Sequence, residues 1–457
     1  GDRACFQRGQ ACWLARLAGL LACCTSGRMG GEVNQALKSA RVGYYDAQAE
    51  HHRSIHRGPI ARDSIFELLE KEELPVEDVP RTLYGVQNAL WLIVALAFLQ
   101  PPVLRLGRGE RPLIDVEFLV WAFGGLGTTV QVLGLTLVAA PLTYLLLVVA
   151  SQGWIAKATR EMLFRVLECL HLVWTCRWIV RTTLPPPAAF FVVMQTVVTF
   201  LKIHSFYFEV RKLDDEKSAE HTLRGRDFLY FLVAPTLVYE PSGYPKTEHI
   251  RIRFLVRKTG SAIGLLLVLF LLITEFFLPV FREARTISLF EFVIRLIVPC
   301  AVFLLAVFFF TFEVLLNVAG ELTCFADRSF YMDWWNAGSM DEFSRKWNKP
   351  VHEWLRRYIY KASQRAGYTR AMALTGTILF SAIFHELVLA VTFRRARIYL
   401  LSLMMLQMPL IWAFSGRFLD RTGRRFANVV FWFSMFVGPA ILSMLYAREW
   451  YIEIYDE

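Results

Sequence analysis

The sequence predicts an all-α protein that crosses a membrane several times. Of its 457 residues, 55% are hydrophobic and 20% are charged, and its mean hydropathy is +0.39. Soluble domains are usually about 45–50% apolar and about 25% charged. Apolar runs recur from about residue 83 to residue 446, which favours one membrane bundle over several soluble domains. We therefore expect about 8–10 membrane helices of roughly 20 residues each, in a membrane domain over residues 62–457.

Residues 1–61 are predicted to form an N-terminal tail that is cytosolic and partly disordered. The apolar stretch at residues 11–24 is too short to span a bilayer and contains Arg16. It lacks a convincing signal-peptide cleavage site. After the tail, residues 64–73 (SIFELLEKEE) have the pattern of a short amphipathic helix that precedes the membrane.

In the first half of the membrane domain, proline, glycine and charged residues repeatedly interrupt the apolar runs. Two prolines close the first predicted span, residues 83–104. Three glycines divide the apolar region 114–155 into a short piece and a full span. Four further membrane segments are predicted, the first unusually polar and the third short and broken by a proline: residues 162–180, 190–208, 228–239 and 260–280.

The second half contains longer apolar stretches and one polar, aromatic segment. The predicted spans are residues 288–318, 371–393, 399–414 and 428–446. Residues 324–370, between the first two of these spans, alternate acids, amides and histidine with aromatic residues. Aromatic side chains are common at membrane interfaces, so an interfacial loop explains the tryptophans alone. The alternation with polar residues favours a folded lobe that lines a site.

The charged residues exclude some classes of function. The net charge is +10, and basic residues cluster near the ends of predicted spans, as at Arg394, Arg395 and Arg397. This fits contact with anionic lipid head groups or with an anionic soluble substrate. Nucleic-acid binding is disfavoured because no basic stripe interleaved with aromatic residues lies on a soluble segment. The eight cysteines show no CxxC motif and no Cys/His cluster, so we predict free thiols and no metal site.

His385 and Glu386 are the ionisable residues inside the apolar span 371–393. Such residues usually face the protein interior or a watered cavity. Two readings of His385 stand: a hydrogen-bonded structural histidine, or a catalytic base in a buried tunnel. Ser381, four residues earlier, shares its helix face. Glu386 points about 100° away, so we expect it to be a structural or substrate-orienting group and not a direct partner of the imidazole. The segment is not a zinc-protease motif, since Leu389 stands where HExxH requires its second histidine.

Three motifs in this region carry a family resemblance. FYMDWWN (residues 330–336), KWNKPVHEW (346–354) and SAIFHELVLAV (381–391) follow one another in the chain. They resemble, in order, motifs of the sterol and diacylglycerol acyltransferases within the membrane-bound O-acyltransferase superfamily. The similarity covers roughly residues 62–451. It implies a helical membrane fold that encloses a tunnel, open to acyl-CoA from the cytosol and to a lipid alcohol from the bilayer.

Within that group, the resemblance favours the sterol branch. LKIHSF (201–206) and REWY (448–451) are similar to sterol enzymes, whereas LQMPL (406–410) is similar to both branches. The implied activity is transfer of a long-chain fatty acyl group from acyl-CoA to a sterol 3-hydroxyl, and the alternative acceptor is diacylglycerol. The resemblance further implies an endoplasmic reticulum membrane protein that forms a homodimer or homotetramer. No metal or bound cofactor is required, and acyl-CoA is the co-substrate.

The resemblance assigns roles to particular residues. His385 would be the base that activates the acceptor hydroxyl, and Asn348 would stabilise or orient the thioester carbonyl, with His352 as the rival base. The expected acyl-CoA-binding residues lie mostly in the lobe: Tyr331, Trp334, Trp335, Asn336, His352, Tyr360, Lys361 and Ser381. The expected acceptor-binding residues are Glu386, Met404 and Gln407. A transporter or scaffold is the alternative class, but no repeated halves are visible in the sequence.

Overall fold

The computed structural model describes residues 92, 96, 99, 100, 102–109, 116–122, 124–215, 224–413 and 424–454. These residues belong to one compact unit, Ala61–Glu457. They form helices and loops, with one isolated antiparallel bridge between Lys246 and Phe325 and no strand in the described ranges. The predicted tail, the amphipathic helix at 64–73 and most of the first predicted span lie outside the described residues.

The helices are labelled in chain order. The first six are α1 (Val116–Ala122), α2 (Leu126–Leu137), α3 (Ala139–Ser151), α4 (Lys157–Arg181), α5 (Pro186–Asp215) and α6 (Gly225–Val233). The next two, α7 (Ile252–Arg282) and α8 (Leu289–Leu322), are long. The remainder are α9 (Met340–Lys346), α10 (Lys349–Leu355), α11 (Lys361–Arg365), α12 (Arg370–Thr392), α13 (Tyr399–Ala413) and α14 (Arg424–Ile454).

The predicted fold class, an all-α polytopic membrane protein, is confirmed. Five segments of the described chain are long and apolar enough to cross a membrane: Phe118–Ser151, Pro186–Leu213, Ile252–Arg282, Leu289–Leu322 and Arg370–Thr392. The polar segment predicted at residues 162–180 does form a helix, α4, but it is not among these five. A shorter apolar segment, Arg425–Gly438, lies within α14.

The glycine and proline signals at the start of the domain had different outcomes. The predicted break in the region 114–155 is confirmed: Gly125 has a φ of 78° between α1 and α2, a left-handed conformation that glycine adopts without steric cost. The prediction that two prolines close the first span stays a prediction, because Pro101 and most of that span lie outside the described residues. Residues 99, 100 and 102–107 are helical.

Helix α4 directs Glu168 and His171 toward α5. Glu168 and His204 are buried, with Glu168 Oε1 2.6 Å from His204 Nδ1. His171 is also buried, and its Nε2 lies 3.0 Å from the carbonyl oxygen of Thr196. Polar groups buried in an apolar bundle are stable when they are paired in this way. Glu168 and His171 therefore mark an inward face of α4, whereas Arg177 is exposed.

A buried lysine holds the end of the short helix α6. Lys202 Nζ donates hydrogen bonds to the carbonyl oxygens of Phe231, Leu232 and Ala234, at 2.7, 2.8 and 2.7 Å. The last carbonyls of a helix have no partner within the helix. The ammonium group supplies three donors, so it satisfies this helix end from the neighbouring span α5.

The segment between α8 and α12 forms a folded lobe, as predicted. It contains a short 3₁₀ turn, Trp334–Asn336, followed by α9, α10, a wide π-helical turn at Arg356–Tyr360, and α11. The Tyr331 hydroxyl donates to Glu313 Oε2 at 2.8 Å, and Glu313 also pairs with Lys258 of α7. These contacts fix the lobe to the two long spans α7 and α8.

Candidate functional site

Helix α12 carries the intramembrane histidine, and its predicted extent is confirmed to within one residue at each end. Thr369 caps its N-terminus, accepting a hydrogen bond from the Met372 amide at 3.3 Å. One face packs on α5, where the rings of Phe384 and Phe200 lie 5.3 Å apart. The opposing face carries the buried Glu386.

Trp354 fixes the position of the lobe relative to α12. Its side chain is fully buried, and its Nε1 donates to the carbonyl oxygen of Leu201 in α5 at 2.9 Å. Its ring stacks on Phe380 of α12, with 5.8 Å between centroids. Helix α10 therefore contacts both α5 and α12 through the side chain of Trp354.

His385 lies on the inner side of α12 and is accessible. Leu379 and Ile383 are exposed and mark the outward apolar stripe of the helix. Since successive residues turn by about 100°, His385 lies roughly 200° around the helix from Ile383. Its side chain is nevertheless exposed. The ring therefore borders accessible space on the side away from the outward stripe.

The protonation of the His385 ring follows from its hydrogen bond. Nδ1 lies 2.8 Å from the carbonyl oxygen of Ser381, and 3.4 Å from the Ser381 hydroxyl. A carbonyl oxygen can accept but not donate, so Nδ1 carries the hydrogen. In the neutral ring Nε2 then holds a free lone pair, and within the described residues it has no hydrogen-bond partner. This is the tautomer that a base acting through Nε2 requires.

Glu386 is occupied by other parts of the protein. The Leu400 and Leu401 amides each donate to Glu386 Oε2 at 3.0 Å, and the Tyr446 hydroxyl donates to Glu386 Oε1. Both carboxylate oxygens thus have protein partners, and the residue is buried. These contacts agree with the structural interpretation of Glu386, which joins α12, α13 and α14, and its expected contact with the acceptor stays a prediction.

Asn348 is positioned as the cap of α10. Its Oδ1 accepts the Val351 amide at 3.2 Å, as N-cap side chains commonly do. This contact uses the oxygen and leaves the Nδ2 amino group, which has no hydrogen bond to the described residues. The half-buried side chain therefore presents a fixed N–H donor.

The aromatic motif of the lobe is divided between core and surface. Tyr331 and Trp334 are buried, 2% and 1% exposed, and the Trp334 ring packs against Trp347 at 4.9 Å. Neither side chain reaches the surface, so both residues pack inside the lobe, and their expected contact with acyl-CoA stays a prediction. Trp335 is half-buried and accepts the Trp432 indole N–H at its carbonyl oxygen at 3.1 Å. Asn336 is exposed.

The remaining lobe residues lie at its accessible edge. His352 on α10 is half-buried, and its burial lowers the pKa of the imidazole. Tyr360 accepts a hydrogen bond from Gln364 at 3.3 Å. Burial is the main cause that lowers the pKa of Lys361, and nearby guanidinium groups such as that of Arg356 lower it further. Arg365 is exposed, and together with Lys361 it forms what we call the basic edge of the lobe.

The expected acceptor side is described in part. Met404 is half-buried on α13, which packs along α12. Gln407 belongs to the same helix, and its side chain lies outside the described residues. Tyr446 and Phe380 were not predicted from the sequence. Nothing in the local sequence singles them out, because their partners lie far away along the chain. Within the described residues no group of three metal-ligating side chains occurs.

Comparison with known proteins gives one family and several relatives. The matching family is described as MBOAT, membrane-bound O-acyltransferase family, and the match covers residues 134–448. Diacylglycerol O-acyltransferase 1 of Dictyostelium discoideum is 31% identical over 313 residues, 64% of this chain and 50% of that protein. Diacylglycerol O-acyltransferase 1 of Homo sapiens is 36% identical over 238 residues, 50% of this chain and 48% of that protein.

A sterol enzyme is about equally similar. Probable sterol O-acyltransferase 1 of Schizosaccharomyces pombe is 35% identical over 237 residues, 48% of this chain and 42% of that protein. The chain thus spans about half the length of these three relatives.

Proposed function

The chain belongs to the membrane-bound O-acyltransferase family, and on that premise we propose that it transfers a long-chain fatty acyl group from acyl-CoA to the hydroxyl of a neutral lipid. The observation that carries the proposal is the His385 ring, which keeps its proton on Nδ1 and leaves Nε2 free on the inner side of a membrane span. Imidazole is the side chain best suited to take and return a proton near neutral pH.

In the proposed reaction His385 Nε2 takes the proton of the acceptor hydroxyl. The hydroxyl oxygen then attacks the thioester carbon, so that a C–O bond forms while the carbonyl oxygen gains negative charge. The free N–H donor of Asn348 supports stabilisation of that oxyanion. Collapse of the intermediate breaks the C–S bond, and the imidazolium returns its proton to the CoA thiolate.

The basic edge of the lobe supports binding of CoA. CoA carries phosphate groups, which lysine and arginine bind through charge-assisted hydrogen bonds. Lys361, Arg365 and Arg370 lie together just before α12 or at its first residue. We propose that the phosphates bind here and that the acyl chain enters the space beside His385.

The acceptor that we propose first is a sterol, with diacylglycerol as the second candidate. The motif LKIHSF at residues 201–206 favours the sterol, whereas the human and Dictyostelium relatives are named as diacylglycerol enzymes. Overall identity does not decide, because the human and fission-yeast proteins are 36% and 35% identical over matches of nearly equal length.

The test is an assay of the purified full chain in lipid nanodiscs with radiolabelled oleoyl-CoA and either cholesterol or diolein. Labelled cholesteryl ester would support the sterol proposal. Labelled triacylglycerol instead would support the proposed reaction with diacylglycerol, and not a sterol, as the acceptor. Absence of ester product with both acceptors, from protein that remains monodisperse, would contradict the proposed function.

The place and assembly of the protein are also proposals. The resemblance implies an endoplasmic reticulum membrane and a homodimer or homotetramer. Co-sedimentation with endoplasmic reticulum markers and the mass of the detergent-solubilised protein would test these two points. Plasma-membrane fractionation or a monomeric mass would contradict them.

A further inference from the structure

Glu386 joins three helices at the level of the proposed base. It lies on α12 directly after His385, and its carboxylate accepts the Leu400 and Leu401 amides of α13 and the Tyr446 hydroxyl of α14. The amides at a helix N-terminus have no partner within the helix. A carboxylate from a neighbouring helix therefore acts as the cap of α13, where its charge is also favoured by the helix dipole.

The connection between α12 and α13 makes this contact more important. Arg394 and Ile398 both have a φ of 55°, a left-handed conformation that is rare for bulky residues and rarest for β-branched ones. Such conformations persist when the surrounding structure determines them. Helix α13 begins at Tyr399, directly after Ile398, so the Glu386 contacts hold α13 at the point where the strained connection ends.

The contacts also define the rotation of α12 about its axis. Phe384 packs on α5 at one side, and Glu386, about 200° further around the helix, is bonded to α13 and α14. His385 lies between these two attachments. A helix attached on both sides of one residue cannot rotate without breaking one of the attachments, and rotation would move the His385 ring away from the inner space.

We propose that Glu386 is a positioning residue: through Tyr446 and the N-terminus of α13 it fixes the direction in which α12 presents His385. The inference rests on the proposed role of His385 in acyl transfer. It differs from a direct contact with the acceptor, because both carboxylate oxygens are occupied within the protein. It assigns to Tyr446, which is fully buried, an effect on turnover without contact with substrate.

The chain offers a matched control for this proposal. Tyr399 also donates a hydrogen bond to a carboxylate, Glu449 Oε1 at 2.9 Å, and this bond also joins α13 to α14. It does not involve α12. Tyr446→Phe and Tyr399→Phe thus each remove one hydroxyl from a tyrosine–carboxylate bond, and only the first touches the attachment of α12.

The kinetic test compares Tyr446→Phe, Glu386→Gln and Tyr399→Phe in the same nanodisc assay. We expect the first two to lower kcat about tenfold, since a small misplacement of a reacting group costs one to two orders of magnitude. KM for both substrates should stay within about twofold, as expected when binding is untouched. Tyr399→Phe should retain the parental kcat. Full activity of Tyr446→Phe, or a selective rise in the acceptor KM of Glu386→Gln, would overturn the proposal.

A second test does not depend on the reaction. In a His385→Cys chain, the rate of labelling by a small maleimide reports the surroundings of position 385, measured as the excess over the parental chain with its eight native cysteines. Adding Tyr446→Phe should change this rate by about threefold or more, because thiol reactivity follows exposure and local charge. Adding Tyr399→Phe should not. Equal rates in both double variants would contradict positioning, even if the wild-type protein transferred no acyl group.

Discussion

The Nδ1 atom of His385 lies 2.8 Å from the carbonyl oxygen of Ser381, one turn earlier in the same helix. This bond belongs to the backbone of residue 381 and not to its hydroxyl. It sets the tautomer of the ring, and it does so whatever side chain residue 381 carries.

The first prediction separates these two atoms of Ser381. Ser381→Ala retains the carbonyl and should keep activity within about threefold, whereas His385→Ala should lose about two to four orders of magnitude in kcat, the usual contribution of a general base. Initial rates with saturating oleoyl-CoA measure both. Loss of activity in Ser381→Ala comparable to that in His385→Ala would show that the hydroxyl, and not the carbonyl, supports the histidine.

The second prediction separates capping from catalysis at Asn348. Asn348→Asp keeps an oxygen that accepts the Val351 amide, and aspartate caps helices about as well as asparagine. It loses the N–H donor and adds a negative charge. We expect near-parental thermal stability with kcat lowered about 10²- to 10³-fold, the cost of removing one oxyanion donor.

Asn348→Ala serves as the control, since it loses both functions and should also be destabilised by about 1 kcal/mol. Parental activity in Asn348→Asp would show that Asn348 caps α10 and takes no part in the reaction.

The third prediction concerns His352 and pH. Burial holds the pKa of this imidazole below its ordinary value in the folded protein. In the unfolded chain the pKa is about 6.5, so below that pH the unfolded state binds a proton that the folded state does not. Stability should therefore fall as the pH is lowered from 7.5 to 5.5.

The unfolding temperature of His352→Gln should decrease less between pH 7.5 and 5.5 than that of the parental protein. His249→Gln, at an exposed position, should show the parental decrease. Differential scanning fluorimetry at the two pH values measures both. A parental pH dependence in His352→Gln would assign the effect to other groups.

The fourth prediction concerns Trp354, which joins α10 to α5 and α12. Trp354→Ala removes a fully buried ring and its bond to Leu201, and we expect a loss of about 3–5 kcal/mol in stability. Trp154 is 78% exposed, so Trp154→Ala should change stability little. Equal unfolding temperatures for the two variants would refute the assigned role of Trp354 in registering the lobe.

The fifth prediction concerns the basic edge. Lys361→Ala and Arg365→Ala should each raise KM for acyl-CoA by roughly twofold to fivefold, the range expected for an exposed ion pair, with the acceptor KM unchanged. Added salt should raise the KM for acyl-CoA more in the parental enzyme than in the variants, because salt screens the charges that the variants lack. Unchanged KM for acyl-CoA in both variants would place the phosphates elsewhere.

The sequence predicted the features that depend on local patterns. The run of apolar residues between Arg370 and Arg394 located α12 to within one residue, and the four-residue spacing placed Ser381 beside His385. Long-range features were not predictable. The bond between Glu386 and Tyr446 joins residues 60 positions apart, and no local pattern marks it.

The aromatic motif of the lobe shows a different limit. Core and interfacial tryptophans are alike in composition, so Trp334 was expected at a ligand surface and lies in the core at 1% exposure. Burial depends on what the rest of the chain places against a residue, and the motif does not contain that information.

The bond between Lys202 and the end of α6 has a consequence for how the chain is assembled during synthesis. Helix α6 is nine residues long, about 13 Å, and cannot insert into a bilayer by itself. Its terminal carbonyls emerge from the ribosome 29 to 32 residues after Lys202. The ammonium group is therefore already in the nascent bundle when α6 is made, and we expect α6 to dock onto a preformed α5 as translation proceeds.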